Sequence, residues 1–492
     1  GAERHTGTKG QGMAMTRRTL LAGAAAGGLA ACGLTTHSHG GSSDERPNIL
    51  LAIADDWSWP HASACGDPVI ATPAFDRVAR EGVLFTHAFT AAPTCTASRG
   101  SLLTGQAPHR LAEGANLHSI LRPEFRSFPD LLEEAGYFVG CTGKGWSPGS
   151  VEKSGRTRNP AGPGFKSFAR FLEQAPKDRP FFFWFGSHLP HRPYEQGSGA
   201  RAGLDPAKVR VPPFLPDDPA VRSDLLDYYL EARRFDESVG DILAQLDASG
   251  RASNTIVAVT SDNGLPFPRA KANVYDAGTR EPLAIRWPSG GLSGKVSNEL
   301  VSLTDLAPTF LRAAGLEPLP AMTGQSILPL ISGSGPLNRE MVFIERERHA
   351  FARRGNLSYP CRAIRTREFL YIRNLRPGRW PAGDPEKLND LGPFSDIDSS
   401  PTKRLLLEGR TKPGIRELCE LATAKRPAEE LYHVANDPWQ MNNLAVDSQY
   451  SAIRNRLRAK LDEWLTTTAD PRILNDDDRW DKYEYHSAKV SL

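Results

Sequence analysis

The chain has 492 residues, 39% hydrophobic and 24% charged, which is length for two or three domains and an ordinary globular balance. Its 60 basic side chains against 57 acidic ones leave a formal net charge of +3. That balance excludes nucleic acid or an anionic membrane as a partner chosen by bulk charge, so any selection for anions has to be local.

Residues 1–45 read as an export segment followed by a linker. Met15-Thr16-Arg17-Arg18-Thr19-Leu20-Leu21 and the run Ala22 to Ala31 form a charged region and an apolar stretch too short to span a bilayer. The pair Arg17-Arg18 has the form of a twin-arginine signal. Leu29-Ala30-Ala31-Cys32 has the form of a lipobox, which would leave Cys32 as a lipidated terminus. The expected location is exported, periplasmic or at the cell surface, with His37 to Asp44 as a Ser/Gly linker.

Pro47 to Ala54 is an apolar run ending at Asp55-Asp56, the pattern of a buried strand whose carboxyl end carries two acids. Tyr137 to Cys141 before Gly143-Lys144, Phe181 to Phe185 before Ser187-His188, and Thr255 to Thr260 before Ser261-Asp262-Asn263-Gly264 repeat that design. Helical patterns over Phe128 to Ala135 and Asp224 to Asp247 lie between them. Alternation of this kind predicts an α/β fold with a mostly parallel sheet sandwiched by helices, and places the active crevice outside the carboxyl ends of the strands. After about Gly335 the pieces become shorter and β-rich: Met341 to Glu345, Cys361 to Arg365 and Phe369 to Arg373, with a helix over Ser451 to Thr467. The expected division is a catalytic domain over 46–335 and a smaller α+β subdomain with an antiparallel sheet over 336–492.

Asp55, Asp56, Asp262 and Asn263 fall at two of these strand ends. Carboxylate and amide oxygens without soft sulfur or several imidazoles suit a hard cation, calcium or magnesium rather than zinc. Each pair taken alone could equally cap a helix or make a turn. Beyond Cys32 and Cys95, the cysteines at 65, 141, 361 and 419 permit disulfides without demanding them, and no Cys-x-x-Cys pair points to zinc.

The run Pro93-Thr94-Cys95-Thr96-Ala97-Ser98-Arg99-Gly100-Ser101-Leu102-Leu103-Thr104-Gly105 resembles the sulfatase signature, in which the cysteine is oxidised to formylglycine. Ala97 stands where that family usually has proline. Ser187-His188-Leu189-Pro190-His191-Arg192 and Ser261 to Pro268 are similar to further segments of the family, and Glu430 to Pro438 with Asn443-Leu444-Ala445 resembles its closing motif. The resemblance spans Pro47 to Ala445 and implies an alkaline-phosphatase-like fold. The order Leu265-Pro266-Phe267-Pro268 resembles the branch that releases N-linked sulfate from glucosamine of heparan-type saccharides.

The resemblance assigns roles to residues of this chain. Asp55, Asp56, Asp262, Asn263 and an oxygen at position 95 would hold one calcium ion. Arg99 and Lys144 would contact the hydrated aldehyde, Lys271 the sulfate, and His188 would protonate the leaving group, with His191 behind it. One hydroxyl of the aldehyde hydrate would attack sulfur, and the other would then expel sulfate. Trp146 replaces a histidine that the family commonly places near the nucleophile, for which His109 and His118 are candidate substitutes. Glu345, Arg346, His349 and Arg362 lie in the smaller subdomain, where they form either a charged saccharide pocket or a solvated strand edge. Trp380 could stack on sugar, whereas core packing suits Trp439 better.

The partners implied are a sulfated saccharide and a formylglycine-generating enzyme, with a homodimer left open. Two other readings stand beside sulfamate hydrolysis. One is an O-sulfatase or a phosphonate or phosphodiester hydrolase on the same scaffold; the other is a saccharide-binding lipoprotein without turnover.

Overall fold

A computed structural model describes residues 46–487; the stretch read above as an export signal, with Cys32, lies outside the described residues. The first strand, β1 (Asn48–Ala54), is buried along its whole length. Its apolar run has no polar alternation because both faces are covered. Leu50, Ala52 and Ala54 point into one core with Phe75, Val78, Phe171 and Val239. Ile49, Leu51 and Ile53 point into the other, with Leu102, Phe128, Phe182 and Phe310.

Six more strands complete this sheet: β2 (Val83–Phe89), β3 (Phe138–Gly143), β4 (Phe181–Gly186), β5 (Thr255–Ser261), β6 (Arg280–Arg286) and β7 (Lys295–Ser302). Their order is β3-β4-β1-β5-β6-β2-β7. Only β6 runs against its neighbours, β5 and β2. The fold is thus α/β with a mostly parallel sheet between helical layers, as the sequence predicts. The helix Pro219–Ala248 carries much of one layer, burying Leu225, Tyr228, Phe235, Val239 and Leu246.

The smaller sheet is antiparallel, in the order β11-β10-β9-β8, built from β8 (Met341–Arg346), β9 (Cys361–Thr366), β10 (Phe369–Asn374) and β11 (Glu429–His433). One face packs Val342, Ile344, Ala363 and Leu370 on Phe89, Tyr275 and Leu300 of the main body. The other packs Ile364, Tyr371 and Leu431 under Leu457, Leu461 and Leu465 of the helix Ser451–Thr467. Cys65, Cys95, Cys141, Cys361 and Cys419 are all free thiols, so the disulfides that the sequence permits are not formed.

Charge is buried at the end of this smaller sheet. Arg362 Nε donates to Asp470 at 2.6 Å and its Nη2 to Glu347 at 2.8 Å. Arg472 closes the group by donating to Glu347 at 2.6 Å. Removing one member strands the others in a medium that cannot solvate them. Arg362→Ala is expected to lower unfolding stability by about 3–5 kcal/mol, read as a fall in the urea midpoint at unchanged slope.

Candidate active site

In-register pairing of β1 with β5 brings Ala54 opposite Ser261, so the two acidic pairs leave the sheet side by side. Asp56 turns away from β1 with φ of 73°, a left-handed conformation that aspartate tolerates better than most residues. The turn points its backbone N–H at Asp262 Oδ1, 3.2 Å away. Cys95 opens the helix Cys95–Thr104, and Arg99 follows one turn later on the same side. Arg99 is fully buried; its Nε donates to Asp262 Oδ2 at 2.7 Å and its Nη1 to the Lys144 carbonyl at 2.6 Å.

Lys144 comes off the end of β3 and donates from Nζ to Asp55 Oδ2 at 2.6 Å. Lys271 donates to Asp56 Oδ2 at 2.5 Å. Each aspartate of the first pair therefore has its own buried lysine. Burial by itself would raise the Asp55 carboxyl, but Lys144 together with His191 and Arg99 outweighs it and holds the group at about 2. Ligand atoms of Asp55, Asp56, Cys95 and Asp262 all lie within 4.8 Å of one another. Asn263 donates from Nδ2 to Asp56 Oδ1 at 2.5 Å, while its buried Oδ1 has no hydrogen-bond partner among the described residues.

An amide oxygen left without a donor in a fully enclosed polar site is what a cation ligand looks like with no ion beside it. Three carboxylates and that oxygen make a hard donor set, which fits calcium. Cys95 completes the group, with its Sγ 3.4 Å from Asp55 Oδ1 and only 3% of the residue exposed. Burial, then Asp262, pushes its thiol well above the usual range. An unmodified Cys95 would thus stay neutral and be a poor nucleophile.

His188 is exposed at the mouth of the site. Burial of part of its ring, then Lys144, lower its pKa below 6.5. His191 is half-buried, with Nε2 3.8 Å from Asp56 Oδ2.

Other expected site residues lie elsewhere. Glu345 and Arg346 were expected to face saccharide, but both are buried and engaged. Glu345 accepts from His109 Nδ1 at 2.6 Å, and Arg346 donates to Asp396 at 2.7 Å. Arg362 belongs to the buried ion cluster described above. His349 is buried as well, bonded through Nδ1 to the Thr94 hydroxyl at 2.7 Å, and so braces the residue before Cys95.

Neither histidine candidate replaces the contact that Trp146 lacks. His109 is held between Glu345 and the Thr468 carbonyl, and the His118 ring packs against Tyr485. Trp146 itself is a core residue, within the apolar cluster of Leu111 and Leu121. Trp439 packs against Phe214, and Trp380 lies beneath Lys425. The sequence reading also passed over Asp398, which sits 3.7 Å from Lys271 Nζ inside the site.

A buried cysteine at a helix start, two acid-bearing strand ends and a lysine on each side meet in one site. Residues 47–316 match the sulfatase family model, and the chain belongs to that family. Residues 269–382 match the model described as N-sulphoglucosamine sulphohydrolase, C-terminal.

The chain is 33% identical to human N-sulphoglucosamine sulphohydrolase, over 87% of this chain and 91% of that protein. It is 28% identical to an ulvan-active sulfatase of Formosa agariphila, over 87% of this chain and 76% of that one. A protein solved in complex with its substrate D-glucosamine-2-N,6-O-disulfate superposes with a TM-score of 0.63 at 20% identity, covering 88% of this chain and 99% of that one. The fold is that of the alkaline-phosphatase-like sulfatases, and the chain is an enzyme of that class.

Proposed function

We propose that the enzyme removes N-linked sulfate from glucosamine residues of heparan-type saccharides, using calcium and a formylglycine made from Cys95, and that it works outside the cytoplasm after export. The observation that carries the chemistry is the buried cluster in which Asn263 Oδ1 stands unpartnered beside Asp55, Asp56, Asp262 and Cys95. The similarity to human N-sulphoglucosamine sulphohydrolase over most of both chains supports the choice of sulfamate.

A calcium ion on Asp55, Asp56, Asp262 and Asn263 would polarise a sulfate oxygen, and the aldehyde hydrate at position 95 would provide the attacking oxygen. The protein's own groups do the rest. Lys144 and Lys271 present ammonium groups to the sulfate oxygens, where negative charge has to be stabilised. Arg99 fixes the orientation of Asp262 and of the Lys144 backbone. His188, open to solvent at the mouth, donates a proton to the departing nitrogen, which is a poor leaving group unprotonated.

That last role sets a pH dependence. The acid form of His188 is lost as pH rises through a pKa held below 6.5. Sulfamate release is therefore expected to fall with rising pH above that point, by about tenfold per unit where the proton donation limits. His188→Gln should lower the rate by about 10²–10⁴ and remove that slope.

The test of substrate class uses purified enzyme with calcium on N-sulfoglucosamine and on glucosamine 6-sulfate, measuring free sulfate and free amine. Release from the N-sulfate supports the proposal. Release from the 6-sulfate alone would replace it with an O-sulfatase.

A further inference from the structure

We infer that Asp398 is a specificity-determining residue, a carboxylate that accepts a hydrogen bond from a free sugar hydroxyl next to the sulfated nitrogen. This rests on the glucosamine reading above. Asp398 sits in the irregular stretch between β10 and the helix Pro401–Glu408, far in sequence from the catalytic strand ends. The fold nevertheless brings its carboxylate within 4.8 Å of ligand atoms of both Asp56 and His191. Lys271 Nζ is 3.7 Å from Asp398 Oδ2, too far for a hydrogen bond, and donates instead to Asp56 at 2.5 Å.

Asp398 Oδ2 is consequently buried with no hydrogen-bond partner among the described residues. An ionised carboxyl oxygen left in this way is costly unless something donates to it. Its pKa is lowered, burial being outweighed by Lys271 and His191, so the group is an acceptor.

A sulfate cannot be what it meets, since anion would face anion. The matching group is a donor on the sugar itself, some four bonds from the sulfur (S–N–C–C–O). On an N-sulfated glucosamine that donor is the ring hydroxyl on the carbon beside the nitrogen-bearing one. Asp398 would accept its proton while Lys271 and the cation end of the site take the sulfate. The same geometry discriminates: a second sulfate on that hydroxyl would remove the donor and bring negative charge against Asp398.

The test compares wild type with Asp398→Asn and Asp398→Ala on three substrates: N-sulfoglucosamine, N-sulfoglucosamine also sulfated on the neighbouring hydroxyl, and 4-nitrophenyl sulfate, which has no such hydroxyl. The expected result is a 10- to 100-fold loss of kcat/KM on the first for both variants, with the aryl sulfate changed less than threefold. Wild type should discriminate against the doubly sulfated sugar, and Asp398→Asn should narrow that ratio.

Equal losses on sugar and aryl sulfate would overturn the inference, because Asp398 would then act only through Lys271. Unchanged kcat/KM on the sugar would overturn it too. Should wild type cleave only O-sulfated sugars, the glucosamine N-sulfate reading fails on that result alone. The Asp398 comparison is then run on the sugar that is cleaved, where a loss confined to sugar substrates upholds a hydroxyl contact and an equal loss rejects it.

Discussion

Cys95→Ala is expected to abolish sulfate release, by about 10⁴-fold or more, while the protein stays folded. The loss is large because no other group in the site can serve as nucleophile. Lys144 and Lys271 are ammonium ions held by Asp55 and Asp56, and His188 stands at the mouth. Folding should survive because the side chain is small and its one hydrogen bond among the described residues is long, 3.4 Å to Asp55 Oδ1. A circular dichroism melt should shift by no more than about 1 kcal/mol in stability. Cys95→Ser is the sharper control, since a hydroxyl in the same place keeps the shape and reaches the aldehyde only if it is itself oxidised. Appreciable turnover by a serine variant whose residue 95 carries no aldehyde by mass spectrometry would overturn the formylglycine mechanism. Mass spectrometry of the Cys95 peptide from the wild type would show the conversion directly.

Calcium removal is expected to have the next largest effect, with a drop in rate of about 10²–10³ on adding chelator. Thermal stability should fall as well. At a calcium concentration one hundred times its Kd, binding to the folded state alone adds about 2.7 kcal/mol. The physical source is the arrangement around Asn263, whose Oδ1 lacks a donor while Asp55, Asp56 and Asp262 crowd the same point. Asn263→Ala deletes that oxygen and also the 2.5 Å hydrogen bond to Asp56. Calorimetric titration should then show calcium bound at least about tenfold more weakly. No thermal shift with calcium, together with no effect of chelator, would count against a cation at this site.

The parts of the fold that announced themselves in the sequence were those buried on both faces. β1, β4 and β5 carry no charged residue, and the acids that follow β1 and β5 are conspicuous because they end such runs. β7, with KVSNELVS, is a partly solvated edge strand, and β6, with REPLAIR, carries charged residues although it is interior and buried, so composition offers no comparable signal. The metal-ligand candidates were legible for the same reason as the strands that carry them, whereas Lys144 and Lys271 rested on the family resemblance.

The smaller sheet was harder to read. Glu345, Arg346 and Arg362 looked like surface charge because their partners, His109, Asp396 and Asp470, are 50 to 236 residues away. Asp396 and Asp398 come from a stretch without helix or strand periodicity, and only the folded chain separates the one that braces Arg346 and Arg353 from the one that faces the site.

The near-complete enclosure of Cys95 also fixes an order of events in the life of the molecule. At 3% exposure, at the start of a helix packed beneath two strand ends, its sulfur is closed to any second protein once the sheet has assembled. An enzyme that rewrites this side chain must meet it as extended polypeptide, within the interval between synthesis and folding. Under the formylglycine mechanism proposed above, polypeptide that folds before that encounter would be locked in the thiol form, and the fraction of active molecules in a preparation would be set by a race between two rates rather than by any equilibrium of the finished protein.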